Sequence, residues 1–370
     1  MPQILSATTS NQYMKFKLGN NMTFRLDSEG RWCSFREGDR FFRRTLSNAV
    51  VINNKQICKH EAYKLHSKIH KQLTLLHNDL ISKPLDVQNQ IDDQTLLKRY
   101  LEKGTQWDAH QILLNSRLYS SAYKEPVTIL PPDRYYNLVV QPATGCPNNQ
   151  CSFCAFYRGK PFQPHSLSEF NRHLNLLKLL LGDAIEGRDG IFLGSANALA
   201  LPQKKIIPML EALNNRIGHK KRGISTFFDP EHAPNRTDIQ WQELATQDIK
   251  QVVIGLETGL PNLRRSFGKS GNLSHIEKAV DNIKQAGIRI GLTILLGMES
   301  KKIDTDHRNA TINLISKLKL DKNDLIYLSP LQNTRSPNID KQTKIFRLGL
   351  QEYSTAKTPL YSMDKFNYYA

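Results

Sequence analysis

Gly145-Cys146-Pro147-Asn148-Asn149-Gln150-Cys151-Ser152-Phe153-Cys154 places three thiols within nine positions, and no cysteine follows in the remaining 216 residues. Soft thiolates this close together suit zinc or an iron–sulfur cluster. A structural zinc requires four protein ligands, and the nearest candidates for a fourth, His165 and His173, lack the paired spacing of such sites. A plant-type two-iron cluster shares the C-x4-C-x2-C run but requires another cysteine downstream. Three cysteines without a fourth leave one iron of a four-iron cluster open, and an open metal position is what binds a small molecule.

The segments around this loop alternate between strand and helix. Asn137 to Thr144 reads as an apolar strand, and Ser166 with Glu169 makes a capping box for a helix that carries Phe170, Leu174, Leu177 and Leu181 on one face. Strands are then expected at Gly190 to Gly194, Gly223 to Phe228, Gln251 to Gly255, Ile288 to Leu296 and Asp324 to Leu328. Helices are expected at Gln203 to Asn214, near Ile239 to Gln247, after a Ser274/Glu277 cap with Gly287 as the stop, and from about Asp306 to Leu318. Six strands interleaved with helices over residues 135–331 imply an α/β class, a parallel sheet or a partial (β/α)6 barrel of the TIM type, with its site at the C-terminal ends of the strands. The cysteine loop lies at such an end.

Upstream the pattern is different. Residues 13–54 alternate short β-prone runs with Gly, Asn and Asp turns, the mark of a small antiparallel sheet. Helices are expected from Ile57 to Asn78 and from Gln94 to Lys103, so residues 1–134 form a smaller α+β domain. The stretch from Gly104 to Pro132, which ends in a Pro-Pro pair, reads as the boundary, and residues 332–370 as a C-terminal extension.

With 39% hydrophobic and 23% charged residues among 370, the chain is a globular protein rather than a collagen, coiled coil or disordered polymer. No apolar run reaches membrane-spanning or signal-peptide length, which places the expected location in the cytoplasm. The net charge of +17 divides into +7 for residues 1–135 and +10 beyond, so neither part is a basic tail. Such a surplus favours anionic partners and leaves a nucleic-acid partner open. Arg31, Arg36, Arg40, Arg43 and Arg44 interleave with Trp32, Phe35, Phe41 and Phe42, a combination able to stack bases, although strand alternation buries about half of those aromatics in a core.

In order and spacing, the chain resembles the radical S-adenosylmethionine superfamily over about residues 135–330. The resemblance rests on the three-cysteine loop with Phe153 before its last cysteine, on Ile254-Gly255-Leu256-Glu257-Thr258-Gly259 with Lys269 after it, and on Gly291 to Gly297. Four residues between the first two cysteines, where three are commonest, is a variant also found in the superfamily. The later segments are similar to oxygen-independent coproporphyrinogen oxidases and methylthiotransferases.

The resemblance implies an enzyme with a 4Fe–4S cluster and S-adenosylmethionine, which an electron from a flavodoxin- or ferredoxin-type donor splits into methionine and a 5'-deoxyadenosyl radical. That radical takes hydrogen from a substrate whose identity the residues leave open, a small or medium-sized molecule being favoured over tRNA or another RNA. It assigns Cys146, Cys151 and Cys154 to the cluster and Phe153 to the adenine side. Gly194, Ser195 and Ala196 stand where the family often has Gly-Gly-Glu against the methionine amino group, and Asn197 offers a substitute oxygen. Ser225 or Thr226, Glu257 and Lys269 are the expected contacts to ribose and carboxylate. The rival reading is a non-catalytic zinc or iron–sulfur protein that binds nucleic acid. Cys33 and Cys58 are too few for an auxiliary cluster, and His60, His66, His70 and His77 read as a solvated helix face.

Overall fold

The computed structural model describes residues 4–10, 12–82, 90–194, 196–298, 300–331, 339–362 and 366–370. Its packing divides into two units. Residues 1–126, 175–188 and 367–370 make the first, and residues 127–174 and 189–366 the second. No described helix is long and apolar enough to cross a membrane.

The first unit is an eight-stranded sheet. Strands β1 (Ile4–Thr9), β2 (Tyr13–Leu18), β3 (Met22–Asp27), β4 (Trp32–Glu37), β5 (Arg40–Arg44), β6 (Val50–Ile52) and β7 (Lys55–Gln56) run as an antiparallel meander, and β8 (Gln90–Ile91) adds in parallel beside β1. Helices α1 (Lys59–Ser82), α2 (Gln94–Thr105) and α3 (Ala109–Ala122) accompany it. Alternation along β2 to β5 puts Phe16, Phe24, Phe35 and Phe42 in register across neighbouring strands, and their rings follow one another at 4.9, 4.8 and 6.0 Å. Leu65, Ile69, Leu73, Leu76 and Leu80 of α1 join the same core.

α3 lies within the stretch read as the boundary, capped by Asp108, which accepts from the Gln111 N–H at 2.7 Å, and the division between the units at 126/127 falls inside that stretch. One reading from the sequence changes here. His66 is no part of a solvated face: it is buried, its Nδ1 accepts from Trp32 Nε1 at 3.0 Å, and burial lowers its pKa to about 4. The arginines also sort themselves. Arg31 is spent on Asp27 and on the carbonyls of Leu180 and Leu181, Arg44 on Asp27 and the Trp32 carbonyl, and Arg43 lies over the Tyr369 ring. Trp32, Phe35 and Phe42 are core residues. Base stacking is thereby closed to Trp32, Phe35 and Phe42, and Arg31 and Arg44 are committed to the core, whereas Arg36, Arg40 and Phe41 stay exposed.

The second unit is built on six parallel strands, β9 (Leu138–Val140), β12 (Ile191–Leu193), β13 (Ile224–Phe228), β14 (Ile249–Glu257), β15 (Arg289–Leu296) and β16 (Leu325–Pro330), adjacent in that order. A two-stranded ribbon, β10 (Ala143–Thr144) with β11 (Gln163–Pro164), brackets the cysteine loop. Helices α4 (Leu167–Leu181), of which the part from Asn175 belongs to the first unit, α5 (Gln203–Ile217), α6 (Asp238–Thr246), α7 (Pro261–Ser266), α8 (Ser274–Gln285), α9 (Lys301–Lys317) and α10 (Ile339–Gln351) follow in the chain. The sheet is an α/β sheet whose outer strands β9 and β16 do not pair with each other among the described residues. Its strands are almost wholly buried, as the near-continuous apolar runs of parallel sheets require.

The capping box at Ser166 and Glu169 forms as expected, each backbone N–H reaching the other's side chain. The one expected at Ser274 does not: Ser274 turns its N–H and hydroxyl to Asn272 Oδ1 instead. α9 begins at Lys301 rather than near Asp306, because the Ser300 hydroxyl accepts from the Ile303 N–H.

Candidate functional site

The loop that carries the cysteines leaves the sheet at Gly145, whose φ of +70° and position against Pro161 both exclude a side chain; a Cβ there would stand 2.0 Å from the Pro161 carbonyl oxygen. Cys146 N–H then donates to the Lys160 carbonyl at 3.1 Å. Asn149 takes the left-handed conformation that asparagine tolerates (φ +41°) and donates through Nδ2 to the Cys146 carbonyl. Asn148 ties the loop across the unit, donating to Cys151 Sγ at 3.2 Å and to the Gly268 carbonyl at 3.1 Å. Ser152 N–H reaches the Phe267 carbonyl, and Phe153 packs edge-on against the Phe267 ring at 5.6 Å.

All three thiols line one cavity of about 150 Å³ at the C-terminal ends of the parallel strands. Of the residues the sequence singled out, Phe153, Ala196, Asn197, Glu257 and Lys269 line it with them. Gly194 is packed beneath, 3.2 Å from Val139 Cγ1 to a Cβ built on it. Ser225 and Thr226 are buried in β13 and stay off the lining; Thr226 hydroxyl is engaged by the Leu193 carbonyl at 3.1 Å. Ser195 lies outside the described residues. His165 and His173 face Gln141 instead of the thiols, and Cys33 and Cys58 belong to the first unit.

Glu257 ends β14 at a bulge, with φ +64°, a conformation that costs a non-glycine residue roughly 1–2 kcal/mol. It is held by charge. Lys269 Nζ lies 3.4 Å from Glu257 Oε1 and donates to the Gly255 carbonyl at 3.2 Å, both side chains being only 7% exposed. Burial would favour a neutral Lys269, but Asp229 and Glu257 outweigh it and hold the ammonium charged. Burial pushes Glu257 up, against the pull of Lys269 and Arg264. For Asp229, which the sequence reading missed, burial is overcome by Lys269 and by the His232 hydrogen bond at 3.1 Å, so its carboxylate sits well below the usual range. A signal was available: Phe228-Asp229-Pro230 stands at the end of a strand, where a barrel places functional groups.

These residues fit a cluster and its small-molecule ligand better than they fit one zinc. Zinc bound at about 2.3 Å to each thiolate needs sulfurs about 3.8 Å apart. Among the described residues, the only trio of His, Cys, Asp or Glu gathered within 4.8 Å is Asp229, Glu231 and His232. Its members are already engaged, Glu231 by Arg264 and the Ser270 N–H, so it serves as a structural knot. The three cysteines face one cavity without gathering into such a trio. Burial pushes the Cys151 thiol up to about 12 and raises Cys146 as well, so a bound cation is what would ionise them. On the open side Asn197, 1% exposed, gives its Nδ2 to the Asp229 carbonyl and leaves Oδ1 without a hydrogen-bond partner among the described residues. A ligand's ammonium group would satisfy it.

A family model described as the Radical SAM superfamily matches residues 140–307. No curated protein matches the chain. Among solved structures, SuiB of Streptococcus suis bound to S-adenosylmethionine is 14% identical, with 87% of this chain and 71% of that chain covered at a TM-score of 0.41. Methylornithine synthase PylB is 15% identical over 65% of this chain and 76% of its own, TM-score 0.40. The cobalamin-dependent S-adenosylmethionine radical enzyme OxsB is 16% identical over 59% of this chain, TM-score 0.40, and the match spans 32% of OxsB's length.

Proposed function

We propose that this chain, whose residues 140–307 match the model of the radical SAM superfamily, uses a 4Fe–4S cluster and S-adenosylmethionine to remove hydrogen from a small or medium-sized organic substrate. The observation that carries the proposal is that three cysteines, the unsatisfied Asn197 Oδ1 and the buried Glu257–Lys269 pair line one cavity at the strand ends. When bound, the cluster and S-adenosylmethionine supply a one-electron reductive cleavage and, from it, a carbon-centred radical able to attack an unreactive C–H bond.

The chain's own residues bind, orient and exclude water. Cys146, Cys151 and Cys154 would hold the cluster, with Asn148 donating to the Cys151 sulfur. Asn197 and Ala196, in place of the family's Gly-Gly-Glu, would receive the methionine ammonium, and Glu257 the ribose hydroxyls, held in place by Lys269. Phe153, fixed against Phe267, would close the adenine side. The sheet is read as a partial barrel, with an electron donor of flavodoxin or ferredoxin type acting in the cytoplasm. A small substrate is preferred to RNA because Arg31, Arg43 and Arg44 of the first unit are engaged by its own side chains and carbonyls.

The test is product analysis of the reconstituted, reduced chain with S-adenosylmethionine. Release of 5'-deoxyadenosine is expected, slowly without substrate; intact S-adenosylmethionine in the presence of a reduced cluster contradicts the proposal. Glu257→Gln should weaken S-adenosylmethionine binding by calorimetry while iron content is kept.

A further inference from the structure

The cavity lining is of two chemical kinds. The thiols, Asn197, Asp229, Glu257 and Lys269 are polar or charged, whereas Ile129, Phe227, Val253 and the Tyr361 ring pack together in a single apolar cluster. Tyr361 comes from the C-terminal segment, which runs alongside β16 through parallel bridges at Leu325/Lys357 and Leu328/Leu360. Its N–H donates to the Leu328 carbonyl at 2.8 Å, and the Ser329 hydroxyl donates to its carbonyl at 3.0 Å. The ring is 2% exposed and packs edge-on to Tyr327 at 5.8 Å, yet its hydroxyl has no hydrogen-bond partner among the described residues. Phenylalanine would fill the same space without burying an unsatisfied hydroxyl, which is destabilising unless a polar atom arrives to meet it.

Charge narrows what arrives. Lys269 is the only cationic side chain on the described lining, and it is already engaged by Glu257, the Gly255 carbonyl and the charge of Asp229. An anionic group would enter beside two carboxylates with no free counter-charge. We propose that the substrate moiety entering this cavity is uncharged and largely apolar and carries one hydrogen-bond acceptor, such as a carbonyl oxygen, which the Tyr361 hydroxyl meets. Tyr361 is then a specificity-determining residue supplied by the C-terminal segment. This deepens the proposed function and rests on it.

The test titrates the reconstituted full chain and its Tyr361→Phe variant with benzamide, benzoate and toluene, followed by ligand-observed NMR. Iron content and thermal unfolding establish that the variant is folded and loaded. Benzamide should bind the unaltered chain about 3- to 10-fold more tightly than the variant, the effect of one neutral hydrogen bond. Toluene should bind both equally, and benzoate more weakly than benzamide. Benzoate binding as tightly as benzamide, equal benzamide affinity in the two proteins, or no binding of either neutral probe would overturn the proposal. Absence of iron from the unaltered chain is a separate result, and it counts against the cluster-based function instead.

Discussion

Removing the Lys269 ammonium should unbalance the centre of the site more than any other single change. At 3.4 Å, and with an effective dielectric of about 20, the attraction between Lys269 and Glu257 is about 5 kcal/mol before desolvation is charged against it. Lys269→Met leaves Glu257 and Asp229 buried without their shared cation, and breaking a buried pair in this way costs about 3–5 kcal/mol. Glu257→Gln alone leaves the ammonium with Asp229 and should cost less. In the double variant only Asp229 is left without the shared cation, and the part of the Lys269→Met loss that comes from Glu257 should return. A coupling of about 2 kcal/mol or more is therefore expected from the four urea-unfolding curves, read by the fluorescence of Trp241, which is buried in the same unit. Strict additivity would show that the two side chains do not hold one another and would remove the stated reason for the conformation of Glu257.

Two further outcomes follow from the loop and from a buried histidine. Gly145→Ala should leave the first unit folded but reduce iron content below half, because a Cβ meets the Pro161 carbonyl and the left-handed φ becomes strained; iron analysis decides it. His307 is wholly buried between Thr258 Oγ1 at 2.7 Å and the Leu295 carbonyl at 3.0 Å, and burial lowers its pKa to about 4. The unfolded chain takes up this proton below about pH 6.5 while the folded one does not, so stability should be full above that pH and decline by up to roughly 3 kcal/mol as pH falls to 4. Unfolding midpoints at pH 7.5, 6 and 5 should fall more gently in His307→Gln; identical slopes would place the acid sensitivity elsewhere.

The parallel strands of the second unit were legible because each is an apolar run flanked by helices of clear period, and the cysteine loop because its spacing is itself chemical information. What escaped were features fixed by contacts distant in sequence. Asp229 is one acid among many until Lys269 is brought beside it, and Tyr361 belongs to the site only because the chain's last segment returns along β16. Ser225 and Thr226 have the right residue types, but they lie inside β13, which carries Phe227 and Phe228 past them to the lining. Ser274 fitted a capping pattern, yet Asn272, two residues earlier, holds its N–H and hydroxyl. The basic and aromatic strands of the first unit suggested a surface because composition does not distinguish an arginine facing solvent from one that, like Arg31, binds two backbone carbonyls in a core.

The central claim, that Cys146, Cys151 and Cys154 together hold a cluster with an open iron, is tested most directly by iron and sulfide analysis after anaerobic reconstitution, with electron paramagnetic resonance recorded before and after S-adenosylmethionine is added. The account predicts about four iron and four sulfide per chain, loss of both in Cys146→Ala, Cys151→Ala and Cys154→Ala but not in Cys33→Ala or Cys58→Ala, and a spectrum that changes with S-adenosylmethionine. A colourless chain carrying zinc, or full iron content in Cys151→Ala, would contradict it.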